Sequence, residues 1–544
     1  MSTMEKKTEK RAWIYRWAVV GIVVLALFLR LYRVTTIPPS PYWEEAALGY
    51  DAYSILKTGK DYHGNAFPLL AFPSFGDYKP SLYFYTIVPF IQVFGLDVLA
   101  VRMPSILAGV GIVIVLYFLA KELWDERIGL LAVMFYAVQP WSIQISRVGF
   151  ETNLATFFIV LGIWAMVRAR KHPWFLLFAA VSMGLSLYTY HSARIVAPLL
   201  GMGIGFLWFK EYWKDRKACV VAFCTVCVMF VPILWNARSP IIAQRATETS
   251  IFSLLQPIVE SNTLRDQDGG GVISKLMHHR VIVFGHLFAS KYFAQFSPDF
   301  LFLYGDDNMR HGTQEFGVLH HWEFFTLLVG LYVMMEKKKK EYWLILMWIG
   351  LAGIPAALTT VSPHTLRFLI SSPAFAFLSA IGGIRIFEGV LHIKHVMLKG
   401  VLFFVLTTWI LFDLTMYLHY YFTHYASASA RDWQFGYREL ISALERNKKP
   451  DQKVFITREQ GRPSIYYLFF TAYDPKKVQE HDRVAVKDQQ ELLEVGSYRF
   501  GVAIPLDKGM LVASSPGKRP STSILKTSIY LPNGSVVWDI WEQK

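Results

Sequence analysis

The sequence predicts a polytopic α-helical membrane protein that ends in a small extracytoplasmic α/β domain. Three observations carry this. Of the 544 residues 53% are hydrophobic and only 18% charged, less charge than an ordinary soluble protein carries. Apolar segments that approach the roughly 20 residues of a spanning helix recur along the chain. The basic residues behind the net charge of +14 sit in short clusters between those segments, as in cytoplasmic loops and unlike a nucleic-acid-binding face.

Eleven apolar segments fall at about 17–34, 101–120, 128–145, 152–168, 174–190, 194–209, 218–235, 323–335, 342–359, 365–386 and 400–418. Segment 323–335 is short, and 82–95 is apolar but broken by Pro89. The basic N-terminus runs into the first segment with no small-residue cleavage site, so an uncleaved span is expected there. Lysine and arginine mark alternate connections: Lys121 and Arg127, then 168–171, 210–217, 336–341 and 385–399. Together with the N-terminus these are expected to be cytoplasmic. The intervening turns, 146–153, 189–194 and 362–367, each hold one arginine.

This topology places three long segments outside: 35–100, 236–322 and the tail from 419. It gives a spanning domain, 1–418, and a tail domain, 419–544. In the tail "KVFITR" and "YRFGVAI" are strand-like, and a helical pattern lies near 435–447. Asn533-Gly534 reads as a hairpin turn between alternating strands. The three cysteines, Cys219, Cys224 and Cys227, share one apolar segment and are expected to pack there, not to form a disulfide framework.

On the predicted outer side the polar residues cluster. Glu44 and Glu45 follow the first span inside "PPSPYWEEAALGYDAY"; Asp77, Tyr78 and Lys79 lie in "FGDYKPSLYFY" with Tyr83. Glu151, then Tyr190, His191 and Arg194, then His364 and Arg367, occupy three later turns. Any one of these has a bland reading: the arginines snorkel to headgroups and the acids face water. Convergence of acids and bases at one depth argues instead for a protein cavity. Cations with aromatic neighbours at a bilayer edge suit a phosphate whose tail lies in lipid. A carboxylate beside them suits a general base.

These stretches resemble the GT-C superfamily of membrane glycosyltransferases, in particular the bacterial branch related to protein O-mannosyltransferases and the lipid A aminoarabinose transferase. "PYWEEAALGYDA" is similar to the acidic motif of that group's first external loop, "DYKPSLYFY" to its Lys-Pro-Pro-Leu-Tyr motif, and "VRMPSILAG" to its Arg-Leu-Pro-Ser span opening. "SRVGFETN" is similar to the turn holding its second acid. The resemblance is specific over 35–200 and weaker to about 440. It departs in Glu44-Glu45, where Asp-Glu is usual, in Ser81 for a second proline, and in Glu151 for aspartate.

The resemblance implies an inverting transfer of a monosaccharide from a polyisoprenyl-phosphate donor to a hydroxyl acceptor on a protein, lipid or glycan, in a bacterial-type plasma membrane. Glu44 is the expected base; Glu45 and Glu151 complete the candidate catalytic acids. Lys79, Tyr78, Arg194, His364 and Arg367 are the candidate phosphate ligands, and Tyr83, Tyr190 and His191 the candidate substrate lining. Adjacent helical residues diverge by about 100°, so Glu44 and Glu45 are not expected to share one task. No metal ligand is assigned; a divalent cation is compatible but not required. The histidine pairs 278–279 and 320–321 read as surface loop residues, and "YGDDNMRHG" (304–312) as an acceptor-path loop or a plain turn.

Three rivals remain on the sequence: a transporter or flippase for a lipid-linked substrate, a ligase moving a whole glycan, and a scaffold. Polar residues at one-sided loops, with no repeat, disfavour the transporter. The early acid pair disfavours the ligase.

Overall fold

A computed structural model of the chain describes residues 3–239, 241, 244, 248–480, 491–505 and 507–544. It divides into two compact units. The first comprises Met1–Arg30, Leu107–Ser146 and Glu151–Tyr417; the second comprises Leu31–Ile106, Arg147–Phe150 and Leu418–Lys544. Segment 35–100, which the sequence reading grouped with the spans, therefore shares its compact unit with the tail.

Each of the eleven apolar segments is largely helical. Among the described residues six helices are long and apolar enough to cross a membrane: Trp13–Leu31, Val98–Leu123, Glu151–Ala169, Arg216–Trp235, Thr365–Leu391 and Val396–Thr423. The pair Glu126–Val138 and Pro140–Ser146, bent by 57°, makes a seventh. Pro140 explains the bend, because the residue before a proline avoids helical geometry, and Gln139 has ψ 130°. The expected figure of about eleven is thus not reached by length. Phe175–Leu187 has 13 residues, and at 1.5 Å per residue it reaches only about 20 Å of the roughly 30 Å hydrocarbon core.

Inside the first unit, glycines let two helices touch backbone to backbone. A Cβ on Gly382 would lie 1.8 Å from the carbonyl oxygen of Thr326, and one on Gly330 would lie 2.1 Å from that of Leu378. No side chain fits at either place. Thr326 and Ser379 hydrogen-bond across the same seam, as small and hydroxylated residues do where lipid supplies no hydrophobic drive between helices. Elsewhere large apolar side chains such as Phe206, Trp235 and Phe404 stand exposed, which suits acyl chains and not water. Cys224 and Cys227 are exposed too, against the packing expected of them; Cys219 alone meets the backbone, with Sγ on the Tyr212 carbonyl.

In the second unit the described residues form a mixed six-stranded sheet. Its order in space is Glu494–Val495, Tyr498–Gly501, Val454–Thr457, Leu511–Ser514, Val536–Glu542 and Ile524–Tyr530. The last two strands form the hairpin predicted at Asn533-Gly534, with Gly534 at φ 83°. Helix Tyr437–Asn447 buries Leu440, Ile441 and Leu444, the stripe expected of an amphipathic helix.

Candidate functional site

Two of the candidate acids, Glu44 and Glu45, sit at the start of helix Trp43–Thr58. Pro38, Pro39 and Pro41 restrict the backbone before it, and the Glu45 carboxylate reaches back to the Tyr42 N–H at 3.3 Å. That return bond fixes the first turn in capping-box fashion. It also commits Glu45 to one side and turns Glu44 about 100° away. Glu44 meets the hairpin of strands Ala71–Ser74 and Asp77–Pro80, in which Phe72 pairs with Lys79. Phe75 and Gly76, both at positive φ, make its tight turn. The Lys79 ammonium lies 3.3 Å from the Glu44 carboxylate, with the lysine side chain 8% exposed and the glutamate 39%. An acid open to solvent is thus paired with a cation held inside.

Glu45 is used differently. Its two oxygens take a bidentate bond from Arg102, both at 2.9 Å, and the Gly149 N–H adds a third at 2.9 Å. Both partners are essentially buried. Arg102 also donates to the carbonyls of Val34, Pro38 and Ser40, so one guanidinium gathers the whole approach to the helix. Arg147 does similar work on the Tyr32 and Ile37 carbonyls, with its face against Tyr421 and Phe422.

The tail supports the same loop. Tyr466 donates to the Pro41 carbonyl at 3.0 Å, and Tyr50 donates to that of Tyr473. Gln479 bonds Ser54, Thr58 and the Asp61 carbonyl. Arg462, paired with buried Glu491, lies over the rings of Trp43 and Phe75 at 5.0 and 4.6 Å. Two further acids of this loop are buried, Asp51 and Asp61. Burial, then the neighbouring Asp61, holds the Asp51 carboxyl well above the usual range, which suits a neutral group and not a base.

Of the other predicted site residues, Tyr83 is buried and donates to the Val101 carbonyl, a packing position and not a lining one. Tyr78 pairs with Pro73 across the hairpin. The remaining six belong to the first unit. Glu151 opens helix Glu151–Ala169 and is buried. Tyr190 is buried, and His191 contacts Arg194, whose Nε closes on the Leu187 carbonyl. Arg367 donates to Thr359 Oγ1 at 2.6 Å. The His364 backbone N–H donates to Gln295 Oε1 at 3.2 Å, and its ring lies beside that of His311. Among the predicted residues the structure pairs Glu44 with Lys79 and His191 with Arg194.

Comparison with solved structures places the architecture. ArnT from Cupriavidus metallidurans in the apo state matches with a TM-score of 0.54 at 11% identity, covering 98% of both chains. The two chains share one overall fold. The same ArnT protein bound to undecaprenyl phosphate matches with a TM-score of 0.51 at 10% identity, again over 98% of both chains. The Archaeoglobus fulgidus oligosaccharyltransferase AglB, in complex with an inhibitory peptide and a dolichol-phosphate, matches with a TM-score of 0.53 at 11% identity. There 85% of this chain and 64% of that one are covered. In sequence, residues 78–235 match the family described as dolichyl-phosphate-mannose-protein mannosyltransferase. A relative called putative mannosyltransferase YycA, from Bacillus subtilis, is 25% identical over 157 residues. That alignment spans 28% of this chain and 22% of the relative's length. Glu44 and Glu45 precede the family match, whereas Lys79, Arg102, Glu151 and Arg194 fall inside it.

Sequence reasoning missed several residues of this chain. Arg102 stands in the quoted "VRMPS" motif, yet only the structure reveals Glu45 as its partner. Arg147 was noted as a lone arginine of its turn, and Arg462 carried no signal at all. The pair 320–321 is not a surface pair: His320 is buried, and both imidazoles bond Asp413, some ninety positions away in sequence.

Proposed function

We propose that the chain transfers a single sugar from a polyisoprenyl-phosphate donor to a hydroxyl acceptor, at the outer face of a bacterial-type plasma membrane. The observation that carries the reading is the Glu44–Lys79 pair, an open carboxylate 3.3 Å from a sheltered ammonium. The GT-C fold supports it, as do the lipid phosphates named with the solved relatives, undecaprenyl phosphate for one and dolichol-phosphate for another.

In this mechanism the acceptor oxygen attacks the anomeric carbon while Glu44 takes its proton. The bond from the anomeric carbon to the phosphate oxygen breaks, its electron pair staying on the phosphate, and configuration inverts. Lys79 exchanges its carboxylate partner for that phosphate and offsets the growing charge. The leaving lipid phosphate is a stable anion, so no general acid is required. Glu45 serves as the anchor of the loop and takes no proton.

Lys79→Ala tests the reading. With a charged hydrogen bond contributing roughly 1.5–3 kcal/mol, donor affinity should fall about 10–100-fold in protein that still folds. Unaltered affinity and rate in that variant would remove Lys79 from the site. Orientation is tested separately. Cysteines placed in 440–480 should react with an impermeant thiol reagent from outside, and cysteines at Lys337 to Lys340 should not. Labelling of the latter from outside overturns the topology.

A further inference from the structure

The loop 304–312 approaches the segment before helix Thr365–Phe368 within the first unit, and three metal-ligating side chains meet there. Asp306 and His311 are each 8% exposed, and His364 is half-buried. One donor atom from each of the three lies within 4.8 Å of the other two. His311 Nδ1 is 2.8 Å from Asp306 Oδ2, and the two imidazole rings are 5.2 Å apart at 32°. We propose that Asp306, His311 and His364 bind one zinc ion, which staples the two loops together.

The plainer interpretation is a hydrogen-bonded Asp–His pair. It accounts for His311 but not for a second imidazole brought beside the same carboxylate from a segment more than fifty positions further on. The carboxylate is also oriented from behind. Asp306 Oδ1 accepts from the Asn308 N–H at 3.0 Å, and Oδ2 accepts from the Thr365 N–H at 2.9 Å. Such outer partners are what hold metal-binding carboxylates in place. Two imidazoles and one carboxylate are a zinc donor set, whereas magnesium and calcium prefer all-oxygen sites. Bonds of about 2.0–2.2 Å in a tetrahedron require ligand separations of roughly 3.3–3.5 Å. The His311–Asp306 pair at 2.8 Å therefore opens slightly on binding while His364, the least buried of the three, closes on the ion. Three protein ligands leave a fourth position for water or an anion. The inference does not depend on the glycosyltransferase reading.

The test uses full-length protein in detergent, stripped with a chelator, reloaded with zinc chloride alone and desalted. About one zinc per chain should remain in the wild type, by analogy with other three-ligand sites. His364→Ala should bind zinc more weakly by on the order of 100-fold, the upper end of the loss from disturbing even an outer partner. Chelation should lower the melting temperature of the wild type but not that of His364→Ala. Asp306→Asn keeps an acceptor for the Thr365 N–H and serves as the second variant if His364→Ala folds poorly. Wild-type protein that retains no zinc, or a folded variant that retains as much as the wild type, overturns the proposal.

Discussion

Glu44→Gln is expected to fold, to bind donor at least as well as the wild type, and to lose transfer by on the order of 100-fold or more, the contribution of a positioned general base. The amide keeps the size of the carboxylate but cannot accept the acceptor's proton. Donor binding should not suffer, because in the resting protein the Glu44 carboxylate occupies the Lys79 ammonium that the phosphate must recruit. Removing that competitor leaves affinity equal or higher, so the loss should appear in kcat and not in KM. Steady-state kinetics with a defined polyisoprenyl-phosphate sugar decide it. Near-normal turnover here, with loss of turnover in Glu151→Gln instead, would transfer the role of base to the second acid.

The other large effect concerns stability. Arg102→Leu strips the buried Glu45 carboxylate of its bidentate partner and leaves the Val34, Pro38 and Ser40 carbonyls without their donor. Removing one member of a buried ion pair costs about 3–5 kcal/mol, because the other charge stays desolvated and uncompensated. Glu45→Gln should cost a comparable amount by isolating Arg102. The double variant should be less unstable than the two single losses added together, since it leaves neither charge alone. Thermal unfolding of the three variants measures this. If Glu45→Gln melts like the wild type but has no activity, Glu45 belongs to the chemistry and not to the scaffold.

Local signals carried much of this into the sequence. The apolar segments, the tail helix at 437–447 and the hairpin at Asn533-Gly534 are set by neighbours a few positions apart, and such patterns are readable. The divergence of Glu44 and Glu45 was legible for the same reason, from helix geometry alone. What each acid turns towards was not. Arg102 lies 57 positions beyond Glu45, and Asp413 lies 93 beyond His320; nothing local announces either pairing. The cluster of Asp306, His311 and His364 was hidden likewise, with His364 read as a phosphate ligand from its turn. The length of each helix was harder to read than its presence, because apolar composition does not say where a proline or a polar turn cuts a helix short.

The loop that carries Glu44 also has a history during synthesis. Its partners Tyr466, Tyr473 and Gln479 lie beyond Leu418, so the ribosome makes them last. At roughly 5–20 residues per second, the interval of about 310 residues between the two halves of the second unit lasts on the order of 15–60 seconds. Throughout that time the early segment has left the first span without the groups that later hold its carbonyls and rings. Arg102 and Lys79, which arrive within the same stretch, supply the cationic partners of the two acids early. They can pre-set the helix start before the tail closes over it, and a chain stalled in the middle of synthesis would carry its acids already paired but its loop still uncovered.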